Sequence, residues 1–250
     1  MHPLILGAGL CALATVRATA APATTPAACP PPQAPALERL YSADCADCWG
    51  QAAPGSAPAA AGRWLFDWIV PGAADAPLAA GALAEAAERL QRLQRLPADS
   101  ASTAPSALPR EVALPPRNKL NMRGLRVPPL RVVSGPAWNG YFGLELQVPA
   151  AARSRLPAGS SGWLALVEQV PAGSDGTPVA RALVRNVVGP LALDATPPDQ
   201  ALIRRIRPTG LTHLRALRWP AGAEPTRLQA RAWIEGPDGT ILAVAADHCR

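Results

Sequence analysis

Two cysteines separated by two residues form the motif with the clearest chemical potential in this sequence. Cys45 and Cys48 stand in the segment CADCW, directly after a short apolar stretch. A cysteine at the start of a helix can act as a nucleophile, because unpaired backbone N–H groups and the helix dipole stabilise its thiolate. A second cysteine one turn later can then resolve the mixed disulfide. The spacing therefore predicts a redox-active pair, and a purely structural disulfide is the alternative.

The same motif fits a metal or haem site poorly. Zinc would need two further ligands, and the candidates are His213, His248 and the other two cysteines of the mature chain. Adjacent residues such as His248 and Cys249 do not have the usual spacing of zinc ligands, and the sequence has no second C-x-x-C. Haem attachment requires a histidine directly after the second cysteine, where Trp49 stands. We therefore expect no metal and no cofactor.

Residues 1–20 have the pattern of a signal peptide. Pro3 to Val16 is an apolar stretch, followed by Ala18-Thr19-Ala20, the small-x-small pattern that signal peptidase recognises. We expect cleavage near Ala20 and a periplasmic or secreted bacterial protein; a retained anchor and a lipoprotein attached through Cys11 are the alternatives. No second apolar run of about 18 residues follows, so we expect no membrane span after cleavage.

Cleavage would leave four cysteines, an even number that is expected to pair in an oxidising compartment. These are Cys29, Cys45, Cys48 and Cys249, and they allow three connectivities. The short separation of Cys45 and Cys48 favours a bond between those two. Cys29 would then pair with Cys249 in a structural disulfide that joins the two ends of the mature chain.

The composition argues against nucleic-acid binding and against an all-helical fold. The 250 residues include 30 prolines and 20 glycines, and the net charge of +6 is spread thinly along the chain. No basic run contains interleaved aromatic residues, so we expect no nucleic-acid partner. The partner that the C-x-x-C predicts is a protein thiol or disulfide of the cell envelope.

The pattern of apolar residues predicts an α/β (α+β) chain in two parts. After a flexible N-terminal arm at 21–35, the elements expected up to residue 135 are two strands, a helix, an inserted loop rich in Pro, Ser and Ala, and a further strand: 36–41, 64–70, 77–96, 97–116 and 125–133. For residues 136–250 the same pattern predicts antiparallel strands that end in a hairpin around Asp238-Gly239.

A strand, a C-x-x-C, a helix start, a buried strand and a long helix are the order expected of a thioredoxin-like domain. We predict such a domain over residues 36–135, with the β-rich region 136–250 packed on it. Thioredoxin-like proteins place a cis-proline opposite the cysteine pair, and Pro128 and Pro129 stand before a strand as candidates. Asp67 within the apolar strand is either a buried proton acceptor for the pair or a carboxylate facing water, and we expect the second.

Several segments resemble, in order, the secreted bacterial family known as domain of unknown function 1223. LERLYSADCADC is similar to the family's opening LELYTSEGCSSCPPA, and the segments RWLFDWIV, VPPLRVVSG, RNVVGPL and ARAWIEGPDGTILAVAADHC are similar to later family elements. The resemblance implies a thioredoxin-like fold, makes Pro129 the cis-proline and includes a cysteine at the position of Cys249. Trp49 and Gly50 replace two family prolines. The family has no settled activity, so the resemblance implies a fold more than a function.

Two functions follow as hypotheses. The first is a thiol–disulfide oxidoreductase, with Cys45 as nucleophile, Cys48 as resolving cysteine and Pro129 shaping the peptide-binding side. The second is a non-catalytic envelope protein that keeps the pair as a structural disulfide. Exposure of Cys45 at a helix start would favour the first hypothesis, and burial would favour the second.

Overall fold

The structure is a computed structural model that describes residues 29–51, 62–94, 110–114, 129–194 and 210–249. The predicted signal peptide, residues 21–28 of the predicted arm and most of the predicted loop at 97–116 lie outside these ranges.

The described residues form ten strands and three α-helices, with 3-10 turns at Ala79–Gly81 and Pro225–Arg227. The strands are β1 (Ala36–Ser42), β2 (Trp64–Val70), β3 (Arg110–Leu114), β4 (Arg131–Trp138), β5 (Tyr141–Pro149), β6 (Ser161–Val170), β7 (Arg181–Ala192), β8 (Gly210–Arg218), β9 (Leu228–Glu235) and β10 (Ile241–Ala246). The helices are α1 (Ala46–Trp49), α2 (Ala84–Gln94) and α3 (Ala150–Arg153).

The strands form two sheets. The larger sheet has seven strands in the order β10-β9-β6-β7-β2-β1-β3, and the smaller has three in the order β4-β5-β8. Strand β2 is parallel to both of its neighbours, β1 and β7, whereas the other pairs are antiparallel. The carboxyl ends of β1 and β2 therefore lie at the same edge of the sheet, and the C-x-x-C follows β1 at that edge.

Successive side chains of a strand point to opposite sides of its sheet. Both of the resulting faces of the larger sheet are covered. Helix α2 covers one face, over a core that includes Phe66 and Trp68 of β2 and Trp233 of β9. The rings of Trp163 and Trp233 stack there with their centroids 5.8 Å apart. On the other face the smaller sheet packs through aliphatic residues, including Leu144, Leu146, Leu164, Leu166 and Ile234.

The predicted thioredoxin-like α/β fold is wrong, since the chain is mostly β-sheet. The predicted order of elements is present around the C-x-x-C, and β1 and β2 are parallel. However, the strand after Pro129 belongs to the smaller sheet, and the second neighbour of β2 is β7. Order along the chain does not determine which distant strands pair. Here buried Asp67 accepts a hydrogen bond from the Ala182 backbone N–H at 2.6 Å, which joins β7 to β2.

The two predicted regions do not form separate layers. The boundary predicted at residue 135 falls within β4, and the larger sheet contains strands from both sides of it. Residues 110–114 of the predicted loop form β3, which pairs with β1. Helix α2 begins at Ala84 and not at Pro77, because the Leu83 N–H donates to the Ile69 carbonyl at 3.1 Å and keeps this segment against β2.

The described part of the predicted N-terminal arm is docked on the larger sheet. The Pro31 carbonyl accepts a hydrogen bond from Nε1 of Trp64 at 2.9 Å, and the Pro32 carbonyl accepts one from the Val244 N–H at 2.7 Å. These contacts place Cys29 beside the C-terminal strand.

Candidate functional site

Cys45 and Cys48 form a disulfide at the carboxyl end of β1. Their Cα atoms are 5.3 Å apart, and Cys45 is the N-cap residue of α1. The backbone N–H of Cys48 donates to Sγ of Cys45 at 3.3 Å. Both cysteines are half-buried, and the flanking Asp44 and Asp47 are exposed. The bond therefore lies near the surface, at a short helix start.

Backbone hydrogen bonds from three elements hold the chain just before the pair. The Ala43 N–H donates to the Val70 carbonyl at 2.9 Å, and the Ala43 carbonyl accepts from the Leu78 N–H at 3.1 Å. The Cys45 N–H donates to the Ser42 carbonyl at 3.1 Å, which makes the turn between β1 and α1. The turn is thus attached to the end of β2 and to the loop that leads to α2.

The carboxylate of Asp44 is part of this attachment. Its Oδ1 accepts from the Ala73 N–H at 2.9 Å, and its Oδ2 accepts from the Ser42 hydroxyl at 3.2 Å. A Cβ atom on Gly72 would lie 2.0 Å from Asp44 Oδ2, so a larger residue there would displace this carboxylate from its present position. Asp47, the carboxylate between the two cysteines, is exposed on α1.

Trp49, directly after the pair, anchors α1 in a buried aromatic cluster. Its side chain is buried, and its ring meets Tyr41 edge-on with the centroids 5.7 Å apart. Its Nε1 donates to the Asp175 carbonyl at 2.9 Å. Cys48 packs against the same cluster, which also contains Ile69. Cys48 is therefore on the inner side of the motif.

Arg181 of β7 lies under the motif and connects its parts. Its guanidinium carbon lies 4.6 Å from the centroid of the Tyr41 ring and 4.7 Å from that of the Trp49 ring. Its Nη2 donates to the carbonyls of Trp49 at 2.7 Å and Gln51 at 3.1 Å, and its Nη1 donates to the Tyr41 hydroxyl. Burial raises the pKa of Tyr41, and the nearby Asp67 adds to that effect. These contacts of Arg181 thus hold the end of α1 in addition to the disulfide.

Asp67 is the buried counter-ion of this cluster. It is completely buried, and it accepts two hydrogen bonds from Arg39, at 2.7 and 2.8 Å. Its Oδ1 also lies 3.6 Å from Nη1 of Arg181. The prediction that Asp67 faces water is therefore wrong. A buried carboxylate needs such partners because an isolated charge is very costly to remove from water.

Cys29 and Cys249 are bonded to each other at the other end of the central strands. Their Cα atoms are 5.6 Å apart across a sequence separation of 220 residues. They line a cleft of about 880 Å³ that also contains Trp64, Leu130 and Ser134. Trp64 pairs with the first residue of β1, whereas the C-x-x-C follows its last residue. At about 3.3 Å per residue, the seven-residue strand separates the two disulfides by roughly 20 Å.

The structure does not bring Pro129 to the cysteine pair. Pro129 directly precedes Leu130, which lines the cleft beside Cys29 and Cys249. The peptide bond before Pro129 includes Pro128, which lies outside the described residues. Among the described residues the cis peptide bond is Gly189–Pro190 in β7. Pro129 is thus next in the chain to a residue of the cleft and not to the surface around Cys45.

The residues that sequence analysis missed are Arg39, Tyr41 and Arg181. A usable signal was present, because Asp67 lies in the otherwise apolar segment WLFDWIV. A carboxylate in a buried strand requires a cationic partner, and Arg39 in the neighbouring strand β1 was the nearest candidate. Arg181 lies in β7, more than a hundred residues further along the chain. No local sequence signal predicts that β7 pairs with β2.

The two histidines in the described ranges, His213 and His248, do not form a metal site with the cysteines. His213 is buried, and its Nε2 is 2.8 Å from the Ala192 carbonyl, while His248 is exposed beside Asp247. Within the described ranges no three His, Cys, Asp or Glu residues are grouped as metal ligands. Of the helices that the structure describes, none is long and apolar enough to cross a membrane.

No family model, curated protein or solved structure matches this chain significantly. The resemblance to the domain of unknown function 1223 family therefore stays a prediction from the sequence motifs.

Proposed function

We propose that the protein is an exported thiol–disulfide oxidoreductase that uses Cys45 and Cys48. The observation that carries the proposal is a half-buried disulfide on a turn that is fixed by other contacts. Asp44 holds the turn before the pair, and Arg181 and Trp49 hold the helix after it. The bond can therefore open and close while the surrounding residues keep their positions.

The small loop that this disulfide closes also argues against a mainly stabilising role. In the chain-entropy model, a bond between residues three positions apart contributes about 2 kcal/mol. The bond between Cys29 and Cys249, which are 220 positions apart, contributes about 5 kcal/mol in the same model. The Cys29–Cys249 bond is thus the more effective staple.

The chemistry proposed for the reduced form is disulfide exchange. The Cys45 thiolate attacks a substrate disulfide, forms a mixed disulfide and releases one substrate thiolate. Cys48 then attacks Sγ of Cys45, which restores the intramolecular bond and releases the second substrate thiolate. The cysteine pair thus gives two electrons to the substrate. A thiol donor of the envelope must then reduce the Cys45–Cys48 disulfide again. The Cys48 N–H, which lies 3.3 Å from Sγ of Cys45, is placed to stabilise the attacking thiolate.

A periplasmic or secreted location is part of this proposal. It is supported by the signal-peptide pattern of residues 1–20 and by two disulfides, which persist in oxidising compartments. The substrate class proposed is a protein disulfide of the cell envelope.

A structural disulfide in a non-catalytic envelope protein is the second candidate. The observation that favours it is the pair of carboxylates at Asp44 and Asp47, which flank Cys45. Negative charge beside a sulfur disfavours its thiolate and therefore slows attack on a substrate.

A trapping experiment distinguishes the two candidates. The Cys48→Ala variant, incubated with a disulfide-bonded model peptide, should accumulate a mixed disulfide at Cys45, whereas Cys45→Ala should accumulate far less at Cys48. Mass spectrometry identifies the adduct, and circular dichroism checks that both variants are folded. If folded Cys48→Ala forms no adduct over hours, the pair is structural and the oxidoreductase proposal is wrong.

A further inference from the structure

The smaller sheet exposes large apolar side chains that the rest of the described chain keeps covered. Val133, Trp138, Tyr141 and Leu214 are 39%, 77%, 47% and 54% exposed, and they are the large hydrophobic residues that are exposed in the described ranges. They belong to β4, β5 and β8, which together make up the smaller sheet. Several exposed apolar residues concentrated on one sheet mark an interaction surface.

Strand pairing places these residues on one face. Val133 is opposite Glu145, which is opposite Leu214, and Trp138 is opposite Tyr141. Directly opposite residues of antiparallel strands point to the same side, and Tyr141 and Glu145 are an even number of positions apart. The alternate residues of β5 are those packed against the larger sheet: Phe142, Leu144, Leu146 and Val148. We call the opposite side, with Val133, Trp138, Tyr141 and Leu214, the outer face.

Arginines flank the apolar residues of the outer face. Arg218 is opposite Tyr141, and Arg131 is opposite Gln147, two positions from the row that contains Val133. Both arginines are exposed. The acidic residue in these rows, Glu145, is half-buried and accepts a hydrogen bond from Gln147 at 2.9 Å. The outer face therefore combines apolar side chains with positive charge, on a chain whose net charge is +6.

Trp138 is held at the tip of a tight hairpin. Asn139 and Gly140 between β4 and β5 have φ angles of 48° and 78°, which are the positive values of a two-residue hairpin turn. Next to the tip, the rings of Phe142 and Trp219 stack with centroids 4.7 Å apart. The stacked pair packs beside the turn and thus supports the segment that carries the exposed indole of Trp138.

We propose that the outer face docks on an anionic membrane surface. Tryptophan and tyrosine rings favour the boundary between headgroups and acyl chains, where an apolar ring with a polar edge is well accommodated. Arg131 and Arg218 attract anionic headgroups, and each basic residue near such a surface strengthens binding by about fivefold. A neutral glycan or an apolar peptide would gain nothing from these two charges, whereas anionic headgroups would. The inference does not depend on the redox proposal.

Vesicle sedimentation with the disulfide-intact chain that starts at Ala21 tests the proposal, because the apolar residues 1–20 would bind lipid themselves. We expect binding to phosphatidylcholine vesicles that contain phosphatidylglycerol, and little binding to phosphatidylcholine alone. Added salt should weaken the binding, because exposed charges are screened. Replacement of Trp138 by Ser should lower the partition coefficient about tenfold, since the ring no longer leaves water. The change should not affect folding, because Trp138 is 77% exposed.

A matched pair of variants separates the outer face from total charge. Arg131→Gln with Arg218→Gln should weaken binding by roughly 25-fold, from two contributions of about fivefold each. Arg63→Gln with Arg227→Gln removes the same charge outside the smaller sheet and should change binding by less than about threefold. The proposal is wrong if the wild-type chain does not bind the anionic vesicles, if Trp138→Ser binds equally well, or if the control pair loses as much as the test pair.

Discussion

Arg181 is the residue on which the surroundings of the cysteine pair depend most. It is buried, contacts the rings of Tyr41 and Trp49 and donates to two carbonyls at the end of α1. Its charge is compensated by Asp67, which in turn is bound by Arg39. One side chain from β7 thus links a strand pairing in the core to the position of a surface disulfide.

Replacement of Arg181 by Met should lower the free energy of unfolding by about 3 kcal/mol, because it removes one partner of a buried ion cluster and leaves two carbonyls unpaired. Urea unfolding measures the change. Arg227→Met is the matched control, since its pair with Asp175 is partly exposed and should contribute less than about 1 kcal/mol. Equal losses in the two variants would contradict the role assigned to Arg181.

Asp47 is the residue that most directly tests how local charge affects the pair. Negative charges beside Cys45 disfavour the thiolate of the reduced form, so the disulfide should resist reduction. Asp47→Asn should therefore make the reduction potential less negative, by about 20 mV for roughly 1 kcal/mol of charge interaction. Equilibration with glutathione followed by thiol alkylation measures the shift.

The control for Asp47→Asn is Glu88→Gln, which removes a negative charge from an exposed position of α2 on the far side of the larger sheet. The potential of this variant should stay within a few millivolts of wild type. A potential of Asp47→Asn that is unchanged or more negative would show that the local charges do not control the pair.

At the scale of elements, helix α2 is joined to the sheet by a second buried ion cluster. Arg89 contacts Glu38 of β1 and Glu235 of β9, at 2.5 and 2.9 Å. Arg92 lies 3.6 Å from Glu235. Burial raises the pKa of Glu235 and outweighs the two arginines, which lower it. Ionised Glu235 is thus less favourable in the folded chain than in the unfolded chain.

This direction predicts a pH dependence of stability. A carboxyl group whose pKa is raised on folding contributes stability below its unfolded pKa, near 4.3, and loses that contribution as the pH rises through the higher folded pKa. Glu235→Gln lacks this loss. The free energy of unfolding of the variant minus that of wild type should therefore be more positive at pH 7 than at pH 4.

Urea unfolding at the two pH values checks the Glu235 prediction, and Glu88→Gln, which removes an exposed carboxylate of α2, again serves as the control. A difference that becomes more negative towards pH 7 would mean that Arg89 and Arg92 outweigh burial, contrary to the pKa direction of Glu235.

Local patterns predicted most of the elements but not their arrangement. The alternation in YFGLELQV and the Asp-Gly turn near the C-terminus are local signals, and β5 and the hairpin of β9 and β10 form where these signals predict. The thioredoxin-like arrangement was wrong because it depended on which strands pair. Asp67 accepts a hydrogen bond from the Ala182 N–H, more than a hundred residues away, and this contact between β2 and β7 has no periodic signal in the sequence.

The candidate site likewise has a part that the sequence predicts and a part that depends on the tertiary fold. The cysteine pair is a motif and was predictable, as was its position between a strand and a helix start. The cation–π contacts of Arg181 join β7 to α1, so they follow from the tertiary fold. Pro129 was assigned by resemblance to the position opposite the pair, but it precedes a strand of the smaller sheet.

At the scale of the whole molecule, the disulfide between Cys29 and Cys249 connects the beginning and the end of the described chain. The double variant Cys29→Ser with Cys249→Ser should lose about 2 to 5 kcal/mol of unfolding free energy. Cys45→Ser with Cys48→Ser should lose about 2 kcal/mol or less, because its loop is short. A larger loss from the second double variant would mean that the C-x-x-C is the main staple of the fold.

The reduction potential of the Cys45–Cys48 pair is the most direct test of the central claim, measured in the folded chain that starts at Ala21 and so lacks the thiol of Cys11. The protein is equilibrated in a series of thiol–disulfide buffers, thiols are alkylated, and circular dichroism follows the fold in the same samples. We predict a reversible two-electron transition of this pair alone near roughly −270 mV or somewhat below, with Cys29–Cys249 still oxidised and the spectrum unchanged. Reduction of the pair only together with loss of the native spectrum would contradict the claim, because the bond would then be part of the structure and not a redox centre.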